Sequence, residues 1–286
     1  MALSIVIPDQ IDYIPDGAKL YLANKFKQIA VKSGISANEN FSRFFITASI
    51  TPLTKEILGS APTKIAQNME ITFYIADYFD QKIFASTSLT MRAVGNNETK
   101  CYIDAIKNID VNSKNLAEFI ETGKKKIIDY YNAQCDNIVK KSNSLATQKQ
   151  YEQALYMLSS IPDVSDCYDK SLKVTAEVYQ KYIDYLCDIN LAKAKMVWAA
   201  NQNSSGAEDA GEYLANIYPD AKCYKEAQML YSEIKGKVLD DWKFVMKMYQ
   251  DQVNLESQRI EAGRQIGIAY GNHQQPTSYN IAWLLR

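Results

Sequence analysis

The stretch KIFASTSLTMRAVGNNETKCYIDAIKNI, Lys82 to Ile109, decides how the first third of this 286-residue chain folds. Ile83, Ala85, Thr87, Leu89 and Met91 alternate with polar or small neighbours, the period-2 pattern of a half-buried strand. The alternation stops at Val94-Gly95. Asn96 or Asn97 then caps a helix that turns Ile103, Ala105, Ile106 and Ile109 inward. A strand that passes through glycine into a helix N-terminus is a common way to hold phosphate. Here the turn has a single glycine and no downstream acid at dinucleotide spacing. Glu98, in the first helical turn, repels phosphate while it complements the helix dipole. The reading is architectural: the last strand of a domain hands over to its last helix.

Outward from this stretch the same alphabet recurs. Met69, Ile71, Phe73 and Ile75 alternate, and DYFDQ reverses the chain into Lys82, which predicts a long hairpin of about 12 residues per arm. Phe44, Ile46, Ala48 and Ile50 predict a further strand, followed by a loop carrying Pro52 and Pro62. LSIVI, residues 3–7, reads as a short buried strand. Asp16 reads as the cap of a helix to about Ser33, with Leu22, Phe26, Ile29 and Ala30 on one face. Strand, helix, three strands and helix predict an α+β domain over residues 1–111, a sheet with two helices on one face.

From Asn112 the strand pattern disappears. A helix is predicted from about Ser113 to Ser142, with Leu116, Ile120, Ile127, Tyr131 and Ile138 as its stripe. A repeat follows. YEQALYMLSSIPDVSDCY matches GEYLANIYPDAKCY, with Leu158, Ile161, Pro162, Asp163, Cys167 and Tyr168 opposite Leu214, Ile217, Pro219, Asp220, Cys223 and Tyr224. Each copy sets a proline after a short helix and a longer helix after Cys-Tyr, the grammar of helical-hairpin repeats. Residues 201–206 read as the loop between copies, and a last helix runs from Cys223 to about Ile266, with a break at Gly236. The expected organisation is an α+β domain at 1–111, an all-α helical repeat domain at 112–266 and a C-terminal arm at 267–286. The arm ends in Tyr279, Ile281, Trp283, Leu284 and Leu285, an apolar plug that is costly to leave in water.

Composition narrows the function. Apolar residues make up 47% and charged residues 23%, as in an ordinary folded protein, and a net charge of −1 supplies no basic field for nucleic acid. The start, MALSIVIPDQIDYIPDG, has no basic segment and an apolar run of about five residues, too short for a secretion signal. The expectation is a chain made and used without secretion, with no membrane span. The five cysteines are odd in number, widely spaced and mostly within helical patterns, so buried free thiols are expected.

Chemistry-bearing motifs are sparse. His273 is the only histidine, which removes histidine triads and HExxH, and no CxxC points to zinc. Gly59-Ser-Ala-Pro-Thr-Lys64 lacks the second glycine of a phosphate loop, and its proline removes an N–H, so it reads as an ordinary loop. Gly123-Lys124-Lys125-Lys126 reads as a solvated helix face. Gly263, Gly267 and Gly271 allow either close helix contact or fraying, and fraying is expected in water. No catalytic residue, metal ligand or cofactor is expected.

Two segments carry a resemblance. FASTSLTMRAVGNNETKCYIDAIKNI followed by LAEFIETGKKKIIDYYNAQCDNI, with the QYEQAL…IP…CY repeat, resembles a pattern of Bacteroidota and their crAss-like bacteriophages. The front half also resembles the N-terminal module of flagellar assembly protein T and related lipoproteins. Such modules are small α+β domains that pack side by side in rings. The resemblance implies a ring subunit in the tail or collar of a short-tailed virion, assembled in the host cytoplasm. Its partners would be copies of itself and neighbouring tail or portal proteins, with DNA only passing through a lumen. On this reading Tyr279, Ile281, Trp283, Leu284 and Leu285 are interface anchors. The alternatives are a helical-repeat adaptor, a cell-envelope accessory protein, or a hydrolase working through carboxylates.

Overall fold

A computed structural model of the chain describes residues 2–7, 14–34, 36–38, 43–78, 80–238, 246, 255–274 and 281–285. The elements run β1 (Ala2–Ile5), α1 (Asp16–Lys32), β2 (Ser36–Asn38), β3 (Phe44–Leu58), β4 (Lys64–Asp77), β5 (Lys82–Gly95) and α2 (Glu98–Lys107). They continue as α3 (Lys114–Thr147), α4 (Tyr151–Ser159), α5 (Tyr168–Ala200), α6 (Ser204–Leu214), α7 (Tyr224–Val238), α8 (Leu255–His273) and a 3₁₀ turn at Ala282–Leu285. The chain is thus a mixed α+β region followed by a mostly helical one. Packing divides it into two compact units, Met1–Ala133 with Pro162–Ser165 and Gln274–Arg286, and Gln134–Ile161 with Asp166–His273. The boundary expected near Asn112 falls instead inside α3. The first half of that helix buries Leu116, Phe119, Ile120, Ile127 and Tyr131, so it belongs with the sheet.

In the first unit the strand order is β2-β1-β3-β4-β5. β1 lies parallel to β2 and β3, while β3, β4 and β5 form an antiparallel meander. The loop expected after Ile50 is strand. β3 continues through Pro52 to Leu58, because a register shift between Pro52 and Thr54 sets the proline at a bulge, where the ladder tolerates a missing N–H. Met69, Ile71, Phe73 and Ile75 point to one face, where Phe73 meets Phe26 of α1 and Phe119 of α3 edge-on or tilted. Three helices, α1, α2 and the start of α3, supply that layer rather than two. Gly123 lets α3 approach closely: a Cβ there would stand 2.5 Å from Cδ1 of Ile75.

The Val94-Gly95 turn behaves as the sequence suggests. The Asn97 side chain accepts from the Lys100 N–H at 2.9 Å and closes the N-terminus of α2. Glu98 pairs with Lys55. A Cβ on Gly95 would stand 2.7 Å from the Cys101 backbone nitrogen. Glycine is required there by the close approach of the chain to its own helix.

The second unit is helical, with a core running through Leu155, Leu158, Val178, Ile183, Ala194, Trp198, Ala207, Leu214, Ala227 and Ile234. The cysteines correct the expectation of free thiols. Cys135 of α3 is bonded to Cys167, just before α5, and Cys187 of α5 is bonded to Cys223, just before α7. Cys101, in the first unit, is the free one. Its buried thiol donates to the Ile65 carbonyl at 3.3 Å, and burial raises its pKa. The expected loop at 201–206 is shorter, because Asn203 accepts from the Ser205 and Gly206 N–H groups and starts α6 at Ser204. The break expected at Gly236 is not seen, because Gly236 lies within α7, described to Val238; α8 is described from Leu255, and between them only Met246 is described, outside any helix. α8 also takes in Gly267–His273, the first residues of the arm expected at 267–286.

The glycines of α8 pack rather than fray. A Cβ on Gly267 would lie 2.6 Å from the Leu155 carbonyl carbon and oxygen, and one on Gly263 2.8 Å from Cγ2 of Thr175. Gly271 faces the Tyr156 ring at 2.4 Å on the same measure. Absence of side chains along one stripe therefore lets α8 lie against α4 and α5 nearly backbone to backbone.

Candidate functional site

Three places in the molecule concentrate interactions beyond ordinary packing, and each grows from a sequence feature. The first is the C-terminal segment. Ile281 and Leu284 are buried in one cluster with Val6, Phe45 and Ala76, on the sheet face opposite the helices. Tyr74, Tyr78 and Trp283 flank that cluster, half-buried. The turn is closed by the Leu284 N–H donating to the Ile281 carbonyl at 2.9 Å. Of the expected anchors, the structure thus brings Ile281, Trp283 and Leu284 together on the same chain's sheet. Tyr279 lies outside the described residues, as does the side chain of Leu285. Trp283 Nε1 and Thr47 Oγ1, on the same face, are buried with no hydrogen-bond partner among the described residues. Two unsatisfied polar atoms are a recognised cost, so the seat is less than ideal as it stands.

The second place is a charged knot at the β4–β5 turn. Arg43 donates from Nε to the buried Asp77 carboxylate at 2.6 Å, and its other arm reaches Asp80. The guanidinium stacks over the Tyr131 ring at 5.9 Å, and Tyr130 donates its hydroxyl to Asp80 at 3.0 Å. Lys82 sits 4.1 Å over the Tyr130 ring. Burial raises the Asp77 pKa against the opposing pull of Arg43, and Arg43, against the cost of its own burial, is held charged by Tyr131, Asp77 and Asp80. Every charge in the knot has a partner. It fixes where β4 turns into β5 and offers no free acid–base pair.

The third place is the far end of the β3–β4 hairpin. β3 is buried from Phe44 to Ile50 and exposed from Thr51 to Leu58. Leu53 is 52% and Ile57 72% exposed, and Leu58 is exposed beside them. Apolar residues at this density in an otherwise polar strand end are unusual for a surface that stays in water. Sequence reasoning missed them because TPLTKEIL, with its proline and charges, reads as loop. Leu53 and Ile57 were the available signal.

In the second unit the two disulfide-closed turns are pinned from α8. Arg259 donates to Asp220 Oδ2 at 2.9 Å, and Arg264 donates to the Tyr168 hydroxyl at 2.5 Å while lying over its ring. Asp184 of α5 accepts from the Lys222 N–H at 2.8 Å. Among the described residues no cluster of three His, Cys, Asp or Glu side chains could hold a metal, and no helix is long and apolar enough to cross a membrane.

No protein-family model matches the chain, and no curated protein matches it. A crystal structure of a minor lipoprotein from Acinetobacter baumannii is similar at 19% identity, over 44% of this chain and 91% of that one, with a TM-score of 0.27. At that score the similarity carries no argument about fold or function.

Proposed function

We propose that this chain is a structural subunit that assembles side by side with copies of itself into a closed ring, with no catalytic role. The observation that carries the reading is β3. Seven residues of one continuous strand are buried and the next eight are exposed, with Leu53, Ile57 and Leu58 among them. An extended hairpin end with exposed apolar side chains is what a heterologous, head-to-tail contact needs. The second unit reads as two helical-hairpin repeats, each closed by its own disulfide, which makes it a stiff body. The C-terminal arm, with Ile281, Trp283 and Leu284, is the latch, and the seat now filled by the same chain is the seat a neighbour's arm would take. The sequence resemblance to crAss-like phage patterns supports a place in the tail or collar of a short-tailed virion.

A second reading is favoured by one observation. Two disulfides in a single helical unit suit a compartment that oxidises thiols, which favours a cell-envelope accessory protein built from the same repeats. The experiment that tests self-assembly is negative-stain electron microscopy of the purified chain beside the double variant Leu53→Asp, Ile57→Asp. Rings that vanish in the variant, with unchanged circular dichroism, support the ring. Rings that persist move the contact elsewhere, and their absence from the unaltered chain removes the proposal.

A further inference from the structure

β5 is the terminal strand of the sheet, so one of its two backbone edges has no strand beside it among the described residues. Its far end is closed, because Asp104 of α2 accepts the Val94 N–H at 3.1 Å. Nearer the β4–β5 turn the edge is open and borders a trench. The trench has a volume of about 310 Å³ and runs between Ala85–Thr87 of β5 and one stripe of α3, Asn115, Glu118, Thr122 and Lys126.

The walls of the trench are aligned. On α3, Phe119 packs on Phe73 and Gly123 on Ile75. Four helical residues advance about 6 Å and two strand residues about 7 Å, so α3 runs in the direction of β4. Phe73 pairs with Thr87 and Ile75 with Ala85, which makes α3 antiparallel to β5. Glu118 therefore stands near the level of Thr87. Lys126 stands about 12 Å further along the helix axis, past Ala85. Glu118 makes only a 3.6 Å exposed pair with Lys114, and Lys126 has no ion pair among the described residues.

An open strand edge is recognised by another extended backbone, and a helix beside it reads the side chains on one face. Residues i and i+4 of a strand share a face and lie about 13 Å apart, close to the spacing of Glu118 and Lys126. We propose that the trench is a peptide-binding site. An extended segment of a partner protein adds to β5 as an antiparallel strand, with a basic residue facing Glu118 and an acidic residue four positions later facing Lys126. Antiparallel pairing with β5 runs the peptide along α3 in the same direction, which fixes the order as basic first, acidic second. The small volume and the hydroxyls of Thr87 and Thr122 select short polar side chains between the two charges. The site uses neither the β3 hairpin nor the arm, so it stands or falls independently of ring formation.

The test uses a fluorescein-labelled peptide, Thr-Lys-Thr-Ser-Thr-Glu-Thr, and its partner with Lys and Glu exchanged. The expected result is saturable anisotropy with the first peptide and binding weaker by about two- to fivefold for each reversed charge with the second. Amide exchange at Ala85–Leu89 slows on binding. The double variant Glu118→Lys, Lys126→Glu, both on the helix surface, reverses the order of preference. No rise in anisotropy up to about 1 mM peptide overturns the proposal. Equal affinity for both peptides, or a preference that the double variant leaves unchanged, overturns it as well.

Discussion

At Gly267 a single added methyl group would have to stand 2.6 Å from the Leu155 carbonyl, a group that belongs to the backbone of α4 and cannot rotate away. Gly267→Ala should destabilise the chain by about 1–3 kcal/mol. Gly236 of α7 has open space around it, so Gly236→Ala should stabilise by roughly 0.5–1 kcal/mol through helix propensity alone. Chemical denaturation of the two variants checks both signs at once, and equal effects would contradict the close packing of α8. Tyr182 donates to Glu152 at 3.1 Å. Burial first, and then that carboxylate, push its pKa up to about 12. A free tyrosine ionises near pH 10. The folded pKa lies above the unfolded one, so the stabilisation is complete below about pH 10 and is lost as pH rises toward 12. The difference between the ultraviolet tyrosinate titrations of the chain and of Tyr182→Phe should be a single step near pH 12 rather than near pH 10.

At the scale of elements, caps and staples explain where helices begin and what holds the turns. Asn97→Ala removes the side-chain acceptor for the Lys100 N–H and should cost about 1 kcal/mol, with the loss confined to α2 in amide exchange. The disulfides close loops with sequence separations of 32 and 36, and each should contribute about 2–4 kcal/mol. Reduction should lower the melting temperature by on the order of 10 °C, and an unchanged melt would show that the bridges do not constrain the helical unit. The alternation at 69–75 and 85–91 and the stripe of α3 were legible because their outward faces stay more exposed than their inward ones. Ile83, however, is exposed and Phe84 buried in its place, because a bulge opposite Ile75 and Ala76 breaks the alternation. β3 beyond Ile50 was not, because a bulge admits a proline that otherwise signals a loop. The disulfides were half visible: the repeat aligned Cys167 with Cys223, but their partners sit mid-helix, where cysteine reads as a small apolar residue. The glycine stripe of α8 was misread because only tertiary contact distinguishes close packing from fraying.

For the whole molecule, the sheet resolves the question raised by the Val94-Gly95 turn: the glycine serves packing, and the helix N-terminus beyond it is closed by Asn97 and Glu98. The last half of β3 is exposed, whereas the arm is seated on the sheet, its Trp283 indole N–H buried with no hydrogen-bond partner among the described residues. On the proposed ring, the exposed half of β3 is the contact that meets a neighbouring copy. The anchors expected from sequence, Ile281, Trp283 and Leu284, were legible as an apolar plug, whereas their seat on Val6, Phe45 and Ala76 depends on a sheet face that alternation alone does not assign. The most direct measurement is the mass of the oxidised, full-length chain in solution by light scattering. The account predicts one discrete mass, an integral multiple of the chain well above a dimer, that falls to a single chain in the Leu53→Asp, Ile57→Asp variant. A single-chain mass for the unaltered protein at every concentration would contradict it.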